Sequence, residues 1–345
     1  MYDLILIGSG PAAAAFARLA PRSLRILLID GGGRPKPCGG LLAPDAQKAL
    51  ARFELTLPKE VLVDPQIFSV RTIDLVTRRQ RYYQRMYINV DRGRFDRWLM
   101  DMVGDNVTVL RGRCTALRRT DGGFAVTCTA PGGVRQEFRA PLLVGGDGAD
   151  SIVRRTLFGP AKIRRYTAIQ QWFPLSDANP FYSCVFDAAT SPCCSWSICK
   201  DSHLIFGGAF PPQNCRAAFE AQKARFASCL GLALGQPERT EACQVLRPHR
   251  PASFCLGGDN AYLIGEAAGL ISPSSLEGIS SALISACALA ESLREANPLR
   301  AYRKKLRRLR GKLLAKNLKC PFMYHPLLRD LVLRSGLTSI EVSAR

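Results

Sequence analysis

Two neighbouring groups of residues near the start of the chain could do chemistry. The first is Gly8-Ser9-Gly10-Pro11-Ala12-Ala13, which follows the apolar run Leu4-Ile5-Leu6-Ile7. Gly8 permits a tight turn, Gly10 lets backbone approach a pyrophosphate, and Ala13 is small enough for a helix to pack on a sheet, with Pro11 and Ala12 completing the turn. The N-terminus of that helix then faces the phosphates. A second apolar strand, Arg25-Ile26-Leu27-Leu28-Ile29, ends in Asp30, about twenty residues past the glycines, where a carboxylate accepts ribose hydroxyls. A glycine fingerprint alone is weak, but strand, turn, helix, strand and acid in register specify a dinucleotide site. The second group is the run from Asp30 and Gly31 to Lys36-Pro37-Cys38-Gly39-Gly40, which sets a thiol just downstream of the ribose acid. Cys38 could supply or relay a proton, or contact a substrate and exclude water; it could equally fill a small packing gap beside the cofactor.

These residues need a large scaffold, and 345 residues with 47% hydrophobic content provide a sizeable core. No run approaches the roughly 20 apolar residues of a membrane span, and Met1 leads straight into the first strand, so the expected location is cytoplasmic. The 13 cysteines, odd in number and irregular in spacing, read as reduced thiols, and Cys193-Cys194 reads as two strand residues facing opposite ways. Three histidines without paired Cys or His spacing argue against a metal site.

The net charge is +20, and residues 300–319 alone hold ten Lys or Arg and no acid. Tyr302, Leu306, Leu309, Leu313 and Leu318 recur there at near-helical spacing, so the segment reads as an amphipathic helix with one docked face and a basic outer one. Such a helix is either a solvated face or a contact for an anionic membrane surface, and no aromatic-interleaved or zinc-type motif supports nucleic acid.

Along the chain, periodicity predicts helices over 45–55, 94–103, 215–231 and 276–296, and strands at 67–90, 107–117, 124–130, 134–139, 142–144 and 260–264. Residues 166–209 alternate with period two and read as four antiparallel strands. The pieces interleave: an α/β Rossmann-like dinucleotide-binding domain from residues 1–62, 91–160 and 246–297, an antiparallel substrate sheet from 63–90 and 161–245, and basic helices over 298–345.

In order, these pieces resemble the FAD-dependent superfamily of p-hydroxybenzoate hydroxylase, and within it the geranylgeranyl reductase family. Lys36-Pro37-Cys38-Gly39-Gly40 is similar to a signature of that family, and Val90-Asp91-Arg92-Gly93-Arg94-Phe95-Asp96 to a segment whose Arg lies against the cofactor. Gly146-Asp147-Gly148, with Arg154 beyond it, is similar to the superfamily's second nucleotide-contacting turn. Gly265-Glu266-Ala267-Ala268, with Gly278-Ile279, is similar to the third, whose acid meets the ribityl chain and whose helix faces the flavin pyrimidine. Cys114 is a further candidate for the cofactor-binding set. Read without the resemblance, Arg92 could be an ordinary surface cation, and Asp147 and Glu266 helix caps. Asp30 stands where Glu is commoner and Glu266 where Asp is commoner. Cys194-Ser195-Trp196-Ser197-Ile198-Cys199 occupies the place of a substrate-cavity motif of which only Trp196 is kept, and it shares Trp196 and Ile198 with flavin halogenases.

The resemblance implies FAD as cofactor, reduced by transient NAD(P)H or ferredoxin, and reduction of carbon-carbon double bonds in an apolar, lipid-like or amphipathic substrate. The alternative on the same fold is a monooxygenase that hydroxylates a small aromatic molecule. Trp196, Cys194, Ile198, His203 and Glu277 are the expected substrate-lining residues, with a structural role as the competing reading of His203.

Overall fold

The computed structural model describes residues 2–32, 36–160, 162–174 and 180–342. Gly33 to Pro35, within the expected cofactor segment, lie outside the described residues.

The strands Leu4–Ile7, Ile26–Asp30 and Leu142–Gly145 are short apolar runs, and such runs are stable where both faces are covered. They form the centre of a six-stranded sheet ordered Gly257–Gly258, Ala261–Leu263, Leu142–Gly145, Leu4–Ile7, Ile26–Asp30 and Val107–Arg111. All pairs are parallel except the first. The Ala-rich helices Pro11–Leu19 and Ile279–Ser292 pack on it and on each other, closing a core that includes Phe16, Leu283 and Leu289.

Facing this layer is an eight-stranded sheet ordered Arg239–Arg247, Arg164–Pro174, His203–Phe210, Ser195–Lys200, Phe181–Phe186, Ile67–Asp74, Gln80–Asn89 and Leu41–Leu42. The helix Cys215–Leu230 covers its outer face, stacking Phe226 on Phe206 at 4.6 Å between ring centroids. A three-stranded meander, Arg113–Thr120, Gly123–Thr129 and Arg135–Ala140, completes the mixed α/β fold.

Three elements differ from the periodicity-based expectation. Arg239–Arg247 is a strand, paired from Arg164↔Arg247 to Trp172↔Arg239; its charged residues hide the alternation because it is an edge strand. The long helix begins at Ile279, because Leu276 takes a left-handed φ of 55° and leaves Leu276 and Glu277 in a loop. The basic segment is two helices, Pro298–Lys305 and Arg307–Ala315, followed by a 3-10 turn over Lys316–Lys319. Tyr302, Leu306 and Leu313 are buried as expected, but the tightened turn throws Leu318 outward, 76% exposed. Among the described residues, no helix is long and apolar enough to cross a membrane.

Candidate cofactor and substrate site

A cavity of about 1360 Å³ runs between the two sheets, from Asp30 at one end to Glu277 at the other. The Asp30 end is rich in glycine. Gly8 sits at φ +109°, and a Cβ there would lie 2.6 Å from the Gly146 carbonyl oxygen, so only glycine fits. At Gly10 a Cβ would meet nothing within 4 Å, and the helix that follows has no side-chain cap. Its first N–H groups are therefore left for a ligand. Asp30 is held in place by the Ser9 hydroxyl, which donates to Oδ1 at 2.5 Å, and by the Gly32 N–H at 3.2 Å. Gly31, Gly148 and Cys114 line the same end; burial pushes the Cys114 thiol up to about 12, so it stays neutral there. Asp147 accepts the Val153 N–H through Oδ2, while its buried Oδ1 has no protein partner. Burial raises that carboxyl above its ordinary range despite the bonds it accepts.

Midway, Lys36 and Glu266 form an ion pair, and the second Glu266 oxygen accepts the Leu246 N–H at 2.9 Å. Burial works against the Lys36 charge, but Glu266 outweighs it and the ammonium pKa is raised. Arg92 pairs with Asp96 at 2.8 Å and also contacts the Cys38 thiol; burial opposes its charge, and these two neighbours overcome the penalty. The Gly40 N–H donates to the Cys38 sulfur at 3.4 Å. Gly39 and Gly40 allow the tight approach: a Cβ on Gly39 would lie 2.8 Å from Ile198 Cδ1, and one on Gly40 at φ +62° would lie 2.4 Å from the Val90 carbonyl oxygen.

At the far end the lining is side chains: Tyr87, Tyr182, Trp196, Ile198, Ile271, Leu276 and Glu277, with Gly278 and Ile279 opening the long helix, which has no side-chain cap. The Tyr87 and Tyr182 rings meet edge to face at 5.2 Å. Trp196 Nε1 is a buried donor without a protein partner, the kind of orphan that marks a ligand contact. Glu277 accepts the Ser275 hydroxyl at 3.0 Å, and burial raises its carboxyl pKa.

Sequence comparison places the chain. No family model matches it. Over 348 residues it is 44% identical to Protein CbrA of Escherichia coli O6:H1, covering 98% of this chain and 94% of that one, and 44% identical to Protein CbrA of Shigella sonnei, covering 98% of each. The chain belongs to the CbrA family. Among solved structures, a geranylgeranyl bacteriochlorophyll reductase-like protein of Thermoplasma acidophilum superposes with a TM-score of 0.79 at 18% identity, covering 97% of this chain and 90% of that one. A flavin-dependent brominase superposes at 0.69 with 19% identity, covering 97% and 93%, and p-nitrophenol 4-monooxygenase of Pseudomonas putida at 0.72 with 13% identity, also covering 97% and 93%. The fold of this CbrA-family chain is therefore the p-hydroxybenzoate hydroxylase-like one.

Four of the expected site residues do not line the cavity of the CbrA-family chain. Ala13 and Gly265 are scaffold: Ala13 packs beneath Gly146, and Gly265 packs against Ala12 while its N–H donates to Ser285. Cys194 precedes the strand and meets Cys184. His203 sits at the strand's end, 2.8 Å from Glu238 and edge-on to Trp172. Arg154 is also structural, donating to the Ala267 and Ser253 carbonyls.

Tyr87, Tyr182, Cys243 and Lys200 escaped the sequence reading. Lys200 had a signal: it follows Trp196 and Ile198 at period two, so it shares their face. Its buried ammonium donates at 2.6 Å to both Asn89 Oδ1 and the Val90 carbonyl, beside Gly40, and burial lowers its pKa to about 8. Cys243, on the unrecognised edge strand, lies against the Pro37 carbonyl, and burial pushes its thiol up to about 11.

Proposed function

We propose that this protein is an FAD-dependent oxidoreductase that saturates a carbon-carbon double bond in an apolar or amphipathic substrate. The observation that carries the reading is the continuous cavity between the sheets, open at Gly10 and at the unpartnered Asp147 Oδ1, with an uncapped helix N-terminus at each end. These are the features a dinucleotide with two phosphates, a ribose and an extended ring system requires. Bound FAD would supply hydride from its N5 position. Asp30, set by Ser9, would hold the adenosine ribose, the Pro11 helix start the pyrophosphate, and the Lys36–Glu266 pair the ribityl hydroxyls.

The chain's own contribution to the reduction is a proton and an apolar enclosure. Cys38 would hold that proton at Sγ, with Arg92 and the Gly40 N–H fixing the thiol. Tyr87, Tyr182, Trp196, Ile198 and Leu276 would seat the substrate and exclude water, and Trp196 Nε1–H would donate to a polar group of the ligand. NAD(P)H or a ferredoxin is the proposed electron donor, transiently bound.

The test is anaerobic single turnover of FAD-loaded, chemically reduced enzyme against candidate unsaturated lipids, with the product read by mass shift. Saturated product without oxygen supports the reading; product only with oxygen assigns the site to a monooxygenase. Cys38→Ser should keep FAD and lose product, and unchanged turnover would remove Cys38 from the chemistry.

A further inference from the structure

Of the 13 large apolar side chains exposed among the described residues, eight lie between Leu318 and Val342. Leu318, Leu327, Leu331 and Leu337 are each more than 60% exposed, and Phe322 is 56% exposed. They do not hang on a loose tail. The helix Pro326–Ser335 buries Arg329 and Leu333, one turn apart, and turns Leu327 and Leu331, also one turn apart, outward. Arg329 donates to Asp74 at 2.8 Å in a buried ion pair, Arg79 pairs with Asp330 at 2.8 Å, and Ile340 forms a backbone bridge to Tyr82. The fold thus fixes a leucine-rich face against the solvent, and faces of that kind mark interaction sites.

The adjoining chain supplies cations. Asp45 and Glu291 pair with Lys312, Lys316 and Lys305, but Arg300, Lys304, Arg307, Arg308 and Lys319 meet no carboxylate among the described residues. The basic run ends at Lys319, beside Leu318, where the apolar run begins. We propose that this C-terminal face seats on an anionic phospholipid surface, with Leu318, Phe322, Leu327 and Leu331 in the interfacial layer and the unpaired cations over headgroup phosphates. Charge decides between occupants. Two copies would each bring a formal +20 to the contact, and a nucleic acid would meet the cations while leaving the leucines without an apolar environment.

The seat is joined to the substrate end of the cavity. The Tyr324 hydroxyl donates to the Ser274 carbonyl at 2.5 Å, and the Cys320 thiol to that of Pro273 at 3.8 Å, in the loop that carries Leu276 and Glu277. Docking there would set the apolar end of the cavity beside the lipid.

Flotation of the purified full-length holoprotein tests this without substrate or turnover, so its outcome is independent of the reaction assigned above. Vesicles of phosphatidylglycerol and phosphatidylcholine should carry the protein up, pure phosphatidylcholine should not, and added salt should weaken binding. The double variant Leu327→Asp, Leu331→Asp should cut the bound fraction by roughly tenfold or more, with Tm and bound-flavin spectrum unchanged. Lys304→Glu with Arg308→Glu should abolish the preference for phosphatidylglycerol. Failure of the wild-type protein to float with anionic vesicles, or flotation of the leucine variant equal to wild type, overturns the proposal. A concentration-dependent dimer that the leucine variant dissociates would assign the face to a second copy and overturn it as well.

Discussion

At the Asp30 end of the cavity the surface offered to a ligand includes four glycines, Gly8, Gly10, Gly31 and Gly148, and the first turn of the Pro11 helix, with Asp30, Cys114 and Asp147 among the side chains. At the Glu277 end it is Tyr87, Tyr182, Trp196 and Ile198, taken from three strands of the other sheet, with Glu277 on a loop. A backbone site needs few particular side chains, and at Gly8 it has no room for a Cβ. A side-chain site can change its occupant by substitution while the first end stays loaded. The same fold can in this way hold one cofactor and accept different substrates.

The largest effect should come from Gly8→Ala. The new Cβ lies 2.6 Å from the Gly146 carbonyl at φ +109°, and backbone strain of about 1–3 kcal/mol adds to the displacement of Gly146. FAD retention after gel filtration should fall by roughly 100-fold, about 2.7 kcal/mol; retention at the wild-type level would break the contrast between the two ends. Asp30→Ala comes next. On the ribose-holding role proposed for Asp30, loss of a charged hydrogen bond of about 1.5–3 kcal/mol should weaken FAD by roughly tenfold or more in a fluorescence titration of the apoprotein.

Lys200→Met acts at the junction of the two ends. It strands Asn89 Oδ1 and the Val90 carbonyl, at about 1–3 kcal/mol of stability in urea unfolding. Its pH dependence has a definite sign. With the folded pKa lowered to about 8, the unfolded chain binds more protons between about pH 8 and the ordinary lysine value near 10.4, so this group makes wild-type stability rise with pH across that window. The Met variant should lose that rise.

The smallest effect is expected for Glu277→Gln. FAD affinity should stay within about twofold, which sharpens the contrast with Gly8→Ala. Because burial raises the Glu277 carboxyl, the folded state binds more protons above the ordinary value of about 4.3, and this group makes stability fall as pH rises through the folded pKa. Thermal melts of the variant across that range should lack this decline.

The Asp30 end was legible because its parts are contiguous: strand, turn, helix, strand and Asp30 lie within the first 30 residues and assemble by local rules. The Glu277 end was legible only in part. Trp196 and Ile198 were picked out by the family resemblance of their segment, but Cys194 falls before the strand begins at Ser195, and His203 is claimed by Glu238. Tyr182 reaches the cavity because Phe181–Phe186 pairs in parallel with Ile67–Asp74, more than a hundred residues earlier, a pairing that no period-two pattern specifies. Leu318 was misplaced for a related reason. A helical period extrapolated through 300–319 assumes one unbroken helix, and the breaks at Leu306 and Lys316 change its phase.

The sequence by itself determined the Rossmann-like unit, the order of the interleaved pieces and the place of Asp30 at the end of the second strand, since short glycine-constrained turns and buried apolar strands act over a few residues. Tertiary structure decided the rest. It joined Lys36 to Glu266 across 230 positions, folded Lys200 under Gly40, and set the C-terminal leucines outward on a helix anchored by the buried Arg329–Asp74 pair. Those contacts depend on how distant strands and helices register against one another, and register is a property of the assembled sheets.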